Sequence, residues 1–425
     1  MLLFRQFLNL KLRKNRSIIL SYPPAKGRSN IKVMEIYQHP VWNNLKAYKK
    51  PAHLARFFLA RNLAKLYPRS SFIGITGSVG KTTTKETCLS VLAEKFKVVA
   101  TRENFDPIFN IPATILRMRP NTQKAILEMG IEYPGEMNFY LSLVKPATAV
   151  VTRISFAHSQ FLGDINQILE EKGKLIRQLP KDGFAILNWD DLNVRKLAKD
   201  TEAKVIFFGT DPQSCNFWAS NIRLENGLTR FELNYGVERV EIFLNLLGKH
   251  FVYSALAAAA LGVSLGMNLI NIKKGLEKVA SAPHRLQLLE GLNGCYVLDD
   301  TYNSSPVALE EALNVLNELS ARRRIAVLGE MRELGVYSEQ LHREIARKIY
   351  KDKIDYVFLG GGDVRFIGDE LIKLGYLPEK IEVNLSNSQI VARILRTASK
   401  GDLILIKGSR AVKLDEVVAR ISKSK

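Results

Sequence analysis

A β-branched run, FIGIT (72–76), leads directly into Gly74-Ile-Thr-Gly77-Ser-Val-Gly80-Lys81-Thr82-Thr83, and a helical pattern follows. No other stretch restricts the fold as much. Strand, glycine loop and helix in that order form a phosphate loop, in which glycines let backbone N–H groups and a helix N-terminus approach an anion. Lys81 is then placed to reach β/γ-phosphates, and the Thr82 hydroxyl to ligate Mg²⁺. Gly77, Ser78, Val79, Gly80, Lys81, Thr82 and Thr83 are the nucleotide-binding candidates, for ATP or GTP. The strict G-x-x-x-x-G-K-[ST] spacing is broken, because Ile75 stands at its first position and glycines stand at 74 and 77. A glycine-rich turn without nucleotide is the bland alternative.

Such a loop belongs to an α/β protein, and the rest of the chain fits one. Short apolar runs at 72–76, 124–129, 148–154, 184–188 and 204–209 alternate with helical patterns, as in a doubly wound parallel sheet. Residues 217–245 alternate apolar and polar around Asn226-Gly227, which predicts an antiparallel hairpin appended to that sheet. Helices are expected at 250–266 and 269–280. After Pro283 the pattern restarts with runs at 296–300, 324–329, 356–360 and 402–407, a second, Rossmann-like α/β unit. The expected division is a small basic N-terminal region (1–52), a central nucleotide-binding domain (53–284) and a C-terminal domain (285–425). Pro283-His284-Arg285 is the hinge between the last two.

Charge is concentrated at one end. Residues 1–70 hold fifteen Lys and Arg against one acid, Glu35, so +14 of the chain's +20 lies there. Such a block attracts polyanions: nucleic acid, lipid headgroups or a phosphorylated substrate. Leu3, Phe7, Leu8 and Leu10 near Arg5 and Lys11 form a weak basic amphipathic pattern, which permits peripheral membrane contact or a solvated face on a small domain. No aromatic-interleaved motif points to nucleic acid. Cys88, Cys215 and Cys295 are far apart without a C-x-x-C pair, which excludes a cysteine zinc site and fits the reducing cytoplasm. The small-apolar run 254–267 is too short to span a bilayer, and the N-terminal stretch lacks a cleavage site, so it reads as no secretory signal.

Further blocks follow in order: Glu128-Met-Gly130 with Pro134-Gly135-Glu136; Ala157-His158; Glu171-Lys172-Gly173; Asn188-Trp-Asp190-Asp191; Gly248-Lys-His250; Asp299-Asp300-Thr-Tyr302-Asn303; 328–335 with His342; and Lys407-Gly-Ser409-Arg410. Together with Gly74 to Glu86, this set resembles the Mur ligases of peptidoglycan synthesis over about 71–425. Thr84-Lys85-Glu86 resembles the branch that adds D-alanyl-D-alanine to UDP-N-acetylmuramoyl-tripeptide. The resemblance implies a monomeric cytoplasmic, ATP-dependent amide-forming ligase acting through an acyl phosphate, with small-molecule substrates and a part in building the cell wall, and so in cell shape and division. It implies two Mg²⁺, with Thr82, Glu128, His158 and Lys172 about them and Lys172 carbamylated. Lys81, His158, Lys172, Arg285 and Asp300 would be catalytic, Asn303 would lie beside ATP, and Lys407, Ser409 and Arg410 would hold the second substrate.

The residues are compatible with that chemistry on their own. A transferring phosphoryl needs metal, Lys and Arg to neutralise its charge, and Glu128 at a strand end offers a hard oxygen, or only a solvated carboxylate. A lone histidine such as His158 is more often structural, and a helical lysine such as Lys172 is more often surface. Asn303 also reads as a turn residue, and His250 as a helix cap. Several positions depart from the family: Phe251 and Ser254 where asparagines help hold adenine, Asn104 to Asn110 in a loop facing the muramyl substrate, Arg153, Lys174, and the basic N-terminus in place of a UDP-binding domain. The last leaves open a different acid acceptor, a non-ligating nucleotide-binding module, or an RNA- or membrane-docking P-loop ATPase.

Overall fold

The computed structural model describes residues 39–102, 105–155, 159–225 and 227–423. The basic segment 1–38 therefore lies outside the described residues, as do Asn104, His158 and Asn226. Two sheets organise the chain. The first has nine strands in the order β2-β3-β1-β4-β5-β6-β7-β8-β9. They are β1 (Phe72–Thr76), β2 (Val98–Ala100), β3 (Lys124–Glu128), β4 (Thr148–Val151), β5 (Phe184–Asn188), β6 (Lys204–Gly209), β7 (Phe217–Glu225), β8 (Leu228–Tyr235) and β9 (Glu238–Leu244). Strands β1 to β6 are parallel, and β1 and β4 are buried along their whole length. That burial explains their unbroken Ile, Val and Ala content.

The chain leaves β1 toward β2 and β3 on one side and later returns as β4 on the other. The crevice outside the C-terminal end of β1 is thus a topological switch point, where open α/β sheets take ligands. The helices Lys81–Ala93 and Phe251–Ser264 cover one face; the alanine run 257–260 is fully buried there. The helices Lys50–Ala64, Pro107–Leu116, Glu136–Leu143 and Ile165–Arg177 cover the other. Ile165–Arg177 starts with a reciprocal cap between Asp164 and Gln167.

The single hairpin expected at 217–245 is instead a three-stranded meander, β7-β8-β9. Its second turn is at Gly236 (φ 58°), a conformation that suits glycine and breaks the alternation for only two residues. The helix Lys50–Ala64 runs through position 52, where a boundary was expected.

The second sheet has the order β10-β11-β15-β12-β13-β14, from β10 (Gln287–Glu290), β11 (Tyr296–Asp300), β12 (Arg324–Leu328), β13 (Tyr356–Gly360), β14 (Ile381–Leu385) and β15 (Leu403–Lys407). It is parallel except for β10, an antiparallel edge that the sequence pattern did not mark. Its strand ends at Asp300 and Lys407 face the crevice of the first sheet. Between the sheets, His284 (φ 63°) and Leu286 (φ 47°) flank Arg285. Left-handed backbone at residues other than glycine costs on the order of 1–3 kcal/mol each, so this connection is held by its surroundings. Ser281 Oγ donates to Arg285 O at 2.6 Å and His284 Nδ1 lies 2.8 Å from Asp299 Oδ2.

Candidate active site

The two sheets enclose a cleft of about 1050 Å³. Residues 78–84, Glu128 and Asn188 line it from the first sheet, and Arg285, Asp300, Asn303, Lys407, Ser409 and Arg410 from the second. The loop after β1 reaches its shape through Gly77 (φ 147°) and Gly80 (φ 84°). A Cβ on Gly77 would lie 2.0 Å from Thr152 Oγ1, so only glycine lets the loop cross β4 there. Thr152 Oγ1 donates to Val79 O at 2.6 Å, Ser78 N to Arg153 O at 2.6 Å, and Ser78 Oγ to Ser155 O at 2.9 Å. The loop is thereby fixed to the end of β4, and the helix that begins at Lys81 points its N-terminus into the cleft.

Hard oxygens and cations meet just below. Thr82 Oγ1 donates to Glu128 Oε1 at 2.8 Å. Lys81 Nζ donates to Gly77 O at 2.9 Å and Ser78 O at 3.1 Å, and Lys172 Nζ donates to the same Gly77 O at 3.0 Å. Burial lowers the Lys81 pKa from the usual lysine value, with Arg285 adding to the effect and Glu128 and Glu132 opposing it. Lys172 is 1% exposed and its pKa is pushed well below the usual value, first by burial and then by Lys81, against Glu136 and Glu171. The lysine is thus inside rather than on the surface that its helical setting alone suggests, and burial disfavours its charged form. Its neighbour Glu171 accepts from Gly135 N at 3.0 Å and Met137 N at 3.2 Å, which ties the 134–136 turn to the same helix. His158, expected among these groups, lies outside the described residues. Among the described residues no three His, Cys, Asp or Glu side chains cluster as a metal cage.

From the second sheet, Lys407 Nζ reaches Asp300 Oδ2 at 2.5 Å and Asn303 O at 2.8 Å. Asp300 Oδ1 also accepts from Leu286 N at 3.2 Å, so the hinge and the ends of β11 and β15 are joined. Asn303 turns its own Oδ1 toward Ser304 N at 2.8 Å. Arg285 stacks its guanidinium 4.0 Å from the centre of the Tyr302 ring, with Nε buried and unpartnered. Ser409 Oγ accepts from Arg332 N at 2.9 Å and Arg410 pairs with Asp415 at 3.1 Å. After Lys407 the chain makes a short 3-10 turn, Arg410–Val412, before the helix Asp415–Ile421.

Residues 75–262 match the Mur ligase middle domain, and residues 284–410 match the Mur ligase glutamate ligase domain. The UDP-N-acetylmuramoyl-tripeptide–D-alanyl-D-alanine ligase of Bacillus subtilis is 34% identical over 368 residues, covering 86% of this chain and 79% of that protein. The chain belongs to the Mur ligase family. The Escherichia coli ligase of the same name is 30% identical, covering 83% and 77%. Among solved structures, MurF from Acinetobacter baumannii superposes with a TM-score of 0.79 at 26% identity, covering 86% of this chain and 80% of that one. MurF from Thermotoga maritima, in complex with ADP, gives 0.76 at 25%, covering 87% and 83%.

Sequence reasoning missed several groups of this Mur ligase. Lys85 is fully buried, donates to Thr101 O at 2.9 Å and lies 3.7 Å from Glu128 Oε2. Its signal was there: it follows Lys81 by one helical turn, on the same face. His39 Nδ1 accepts from Val41 N, so Nε2 carries the proton that meets Glu136 Oε1 at 2.7 Å, and that carboxylate also holds Tyr133 N at 3.0 Å. Ninety-seven residues separate the pair, and no pattern joins them. The family departures occupy definite places. Ser254 Oγ lies 3.0 Å from Thr84 Oγ1, Phe251 lines the cleft, and Lys174 pairs with Glu171. Arg153 and His250 stand 3.5 Å and 3.9 Å from the carboxylate oxygens of Glu311, across the cleft.

Proposed function

We propose that this Mur ligase joins D-alanyl-D-alanine to UDP-N-acetylmuramoyl-tripeptide at the expense of ATP, as a cytoplasmic monomer acting on small molecules. What carries the reading is the match at 34% identity to a ligase of that name across most of both chains, together with a cleft that confronts a phosphate loop with Arg285, Asp300 and Lys407. Residues 53–284 take the nucleotide and residues 285–425 close on it. Nucleic acid is no partner, and the basic N-terminal part takes a surface role, peripheral contact with an anionic membrane.

In this reading the amides of Gly77 to Thr83 and the Lys81 ammonium cradle the phosphates of ATP, and the purine lies toward Asp190, Phe251 and Tyr253. Thr82 and Glu128 offer the paired hard oxygens that would hold Mg²⁺, and by the family resemblance His158 and a carbamylated Lys172 would hold a second ion. Bound there, Mg²⁺ would neutralise charge on the transferring phosphoryl. The acceptor carboxylate takes the γ-phosphoryl, ADP leaves, and the resulting acyl phosphate is attacked by the dipeptide amine with loss of phosphate. Arg285, set on Tyr302, meets phosphoryl charge, and Asp300 with Lys407 and Asn303 orders the hinge beside it. Ser409 and Arg410 face the second substrate. Lys172 is suited to carbamylation: burial favours the neutral form of its amine, which would add CO2 with loss of one proton and become an anion. The acid-free basic stretch 39–70 favours a second reading, the same chemistry on another polyanionic acid.

The test is phosphate release with Mg·ATP and D-alanyl-D-alanine, with and without UDP-N-acetylmuramoyl-tripeptide. Release requiring both, with a product heavier by one dipeptide unit, is expected. ATP turnover without that product would transfer the case to the other acceptor.

A further inference from the structure

The outer side of the helix Lys50–Ala64 is not built for water. Its inner side, Phe57, Ala60 and Ala64, is buried in the core against the helix Pro107–Leu116. On its outer side Phe58 is 68% exposed and Leu59 55%, and in the flanking turns Tyr48 is 71% and Leu66 78% exposed. With Ala52 and Ala55 these positions recur every three or four residues, which places them on one stripe. Arg56 borders the stripe on one side, Arg61 and Lys65 on the other. Residues 39–70 hold seven Lys and Arg and no acid. Lys46, Lys49, Lys50, Arg56, Arg61 and Lys65 pair with no carboxylate among the described residues; Lys65 reaches only Asn62 Oδ1, at 3.4 Å.

From this we infer that the stripe of Tyr48, Phe58, Leu59 and Leu66 with its border of Arg56, Arg61 and Lys65 docks the enzyme onto an anionic lipid surface. Charge selects that occupant. A second copy would set seven positive charges against seven. The preceding segment 1–38, with eight Lys and Arg against Glu35, carries the same sign, so charge does not favour it as a cover. Only an anionic partner gains from both segments. Nucleic acid would meet the cations and leave Leu59 and Leu66 in water, whereas the acyl boundary of a bilayer takes apolar side chains while its headgroups take the cations. Among the described residues no helix is long and apolar enough to cross a membrane, so the contact is peripheral. The helix behind the stripe starts at Pro107, which lines the cleft, so docking holds the cleft within one helix layer of the surface.

The experiment is flotation of the full chain with vesicles of phosphatidylcholine alone and of phosphatidylcholine and phosphatidylglycerol, three to one. Binding to the anionic vesicles only, weakened by salt, is expected. Replacing Arg56, Arg61 and Lys65 together by Gln should weaken it about 100-fold, given roughly a fivefold contribution from each charge near the surface. Phe58→Ser with Leu59→Ser should weaken it at least about tenfold. Both variants should keep phosphate release in solution. If either misfolds, hydroxyl-radical footprinting of the unaltered chain replaces it, with protection of Tyr48, Phe58, Leu59 and Leu66 expected only when anionic vesicles are present. The inference is overturned by absence of binding to anionic vesicles or by binding indifferent to both variants. Protection of the stripe without vesicles, a dimer dispersed by Phe58→Ser, or tighter binding to single-stranded RNA through the same cations would also overturn it.

Discussion

Gly77→Ala isolates the geometry on which the nucleotide loop depends. The new methyl group would meet Thr152 Oγ1 at 2.0 Å, and Arg153 O and N at 3.1 Å and 3.2 Å. Two costs follow. Alanine at φ 147° is strained by on the order of 1–3 kcal/mol. Thr152 must also swing away and give up its 2.6 Å bond to Val79 O, a further loss of about 1 kcal/mol before any repacking. A total near 3 kcal/mol is expected. Gly80→Ala is the internal control, because its φ of 84° carries strain but the nearest atom, Thr152 Cβ, is 3.9 Å away; it should cost about 1 kcal/mol. Urea unfolding of both variants and of Gly77→Ala/Thr152→Ala is the assay. The double variant should be less destabilised than the sum of its parts, since one substitution removes the other's clash. Equal losses at Gly77 and Gly80, or strict additivity with Thr152→Ala, would refute the close-approach argument.

Other expectations are as specific. Glu128→Gln keeps size and one oxygen but removes the charge beside Thr82, and phosphate release should fall about 100-fold with the unfolding midpoint little changed. His342 is fully buried; its Nδ1 proton meets Ser338 O at 2.8 Å while Nε2 accepts from Met331 N at 3.2 Å, so the native fold needs the neutral ring. Burial lowers its pKa from 6.5, and the unfolded chain therefore binds the extra proton first as pH falls. Stability is thus lost from about pH 6.5 downward until the lowered native value is passed, and urea midpoints at pH 7.5 and 5.5 should diverge less in His342→Gln than in the unaltered protein. Arg323 grips the buried Asp402 at 3.1 Å and 2.6 Å. Arg323→Leu leaves that carboxylate without its cation, held only by Ser399, and should cost about 3–5 kcal/mol in denaturant unfolding.

Much of this molecule could be read in its sequence, and the gaps have physical causes. Strands buried on both faces, such as β1 and β15, announce themselves as unbroken apolar runs. Edge strands do not: β2 is three half-buried residues, β10 alternates between half-buried and exposed positions, and β14 bends at Asn384 (φ 58°). The site followed the same division. The phosphate loop and Glu128 sit at strand ends that the pattern located. The burial of Lys172 and Lys407 depends on Gly77 O and Asp300, each contributed from about a hundred residues away. Sequence patterns identify the side chain but not the distant partner that makes its burial tolerable.

The central claim is that the cleft couples ATP to an amide bond through an acyl phosphate. The most direct measurement supplies UDP-N-acetylmuramoyl-tripeptide with ¹⁸O in the reacting carboxylate, together with Mg·ATP and D-alanyl-D-alanine, and weighs the inorganic phosphate released. One ¹⁸O atom per phosphate is predicted, because the carboxylate oxygen that takes the phosphoryl leaves with it. Amide product accompanied by unlabelled phosphate would contradict the account.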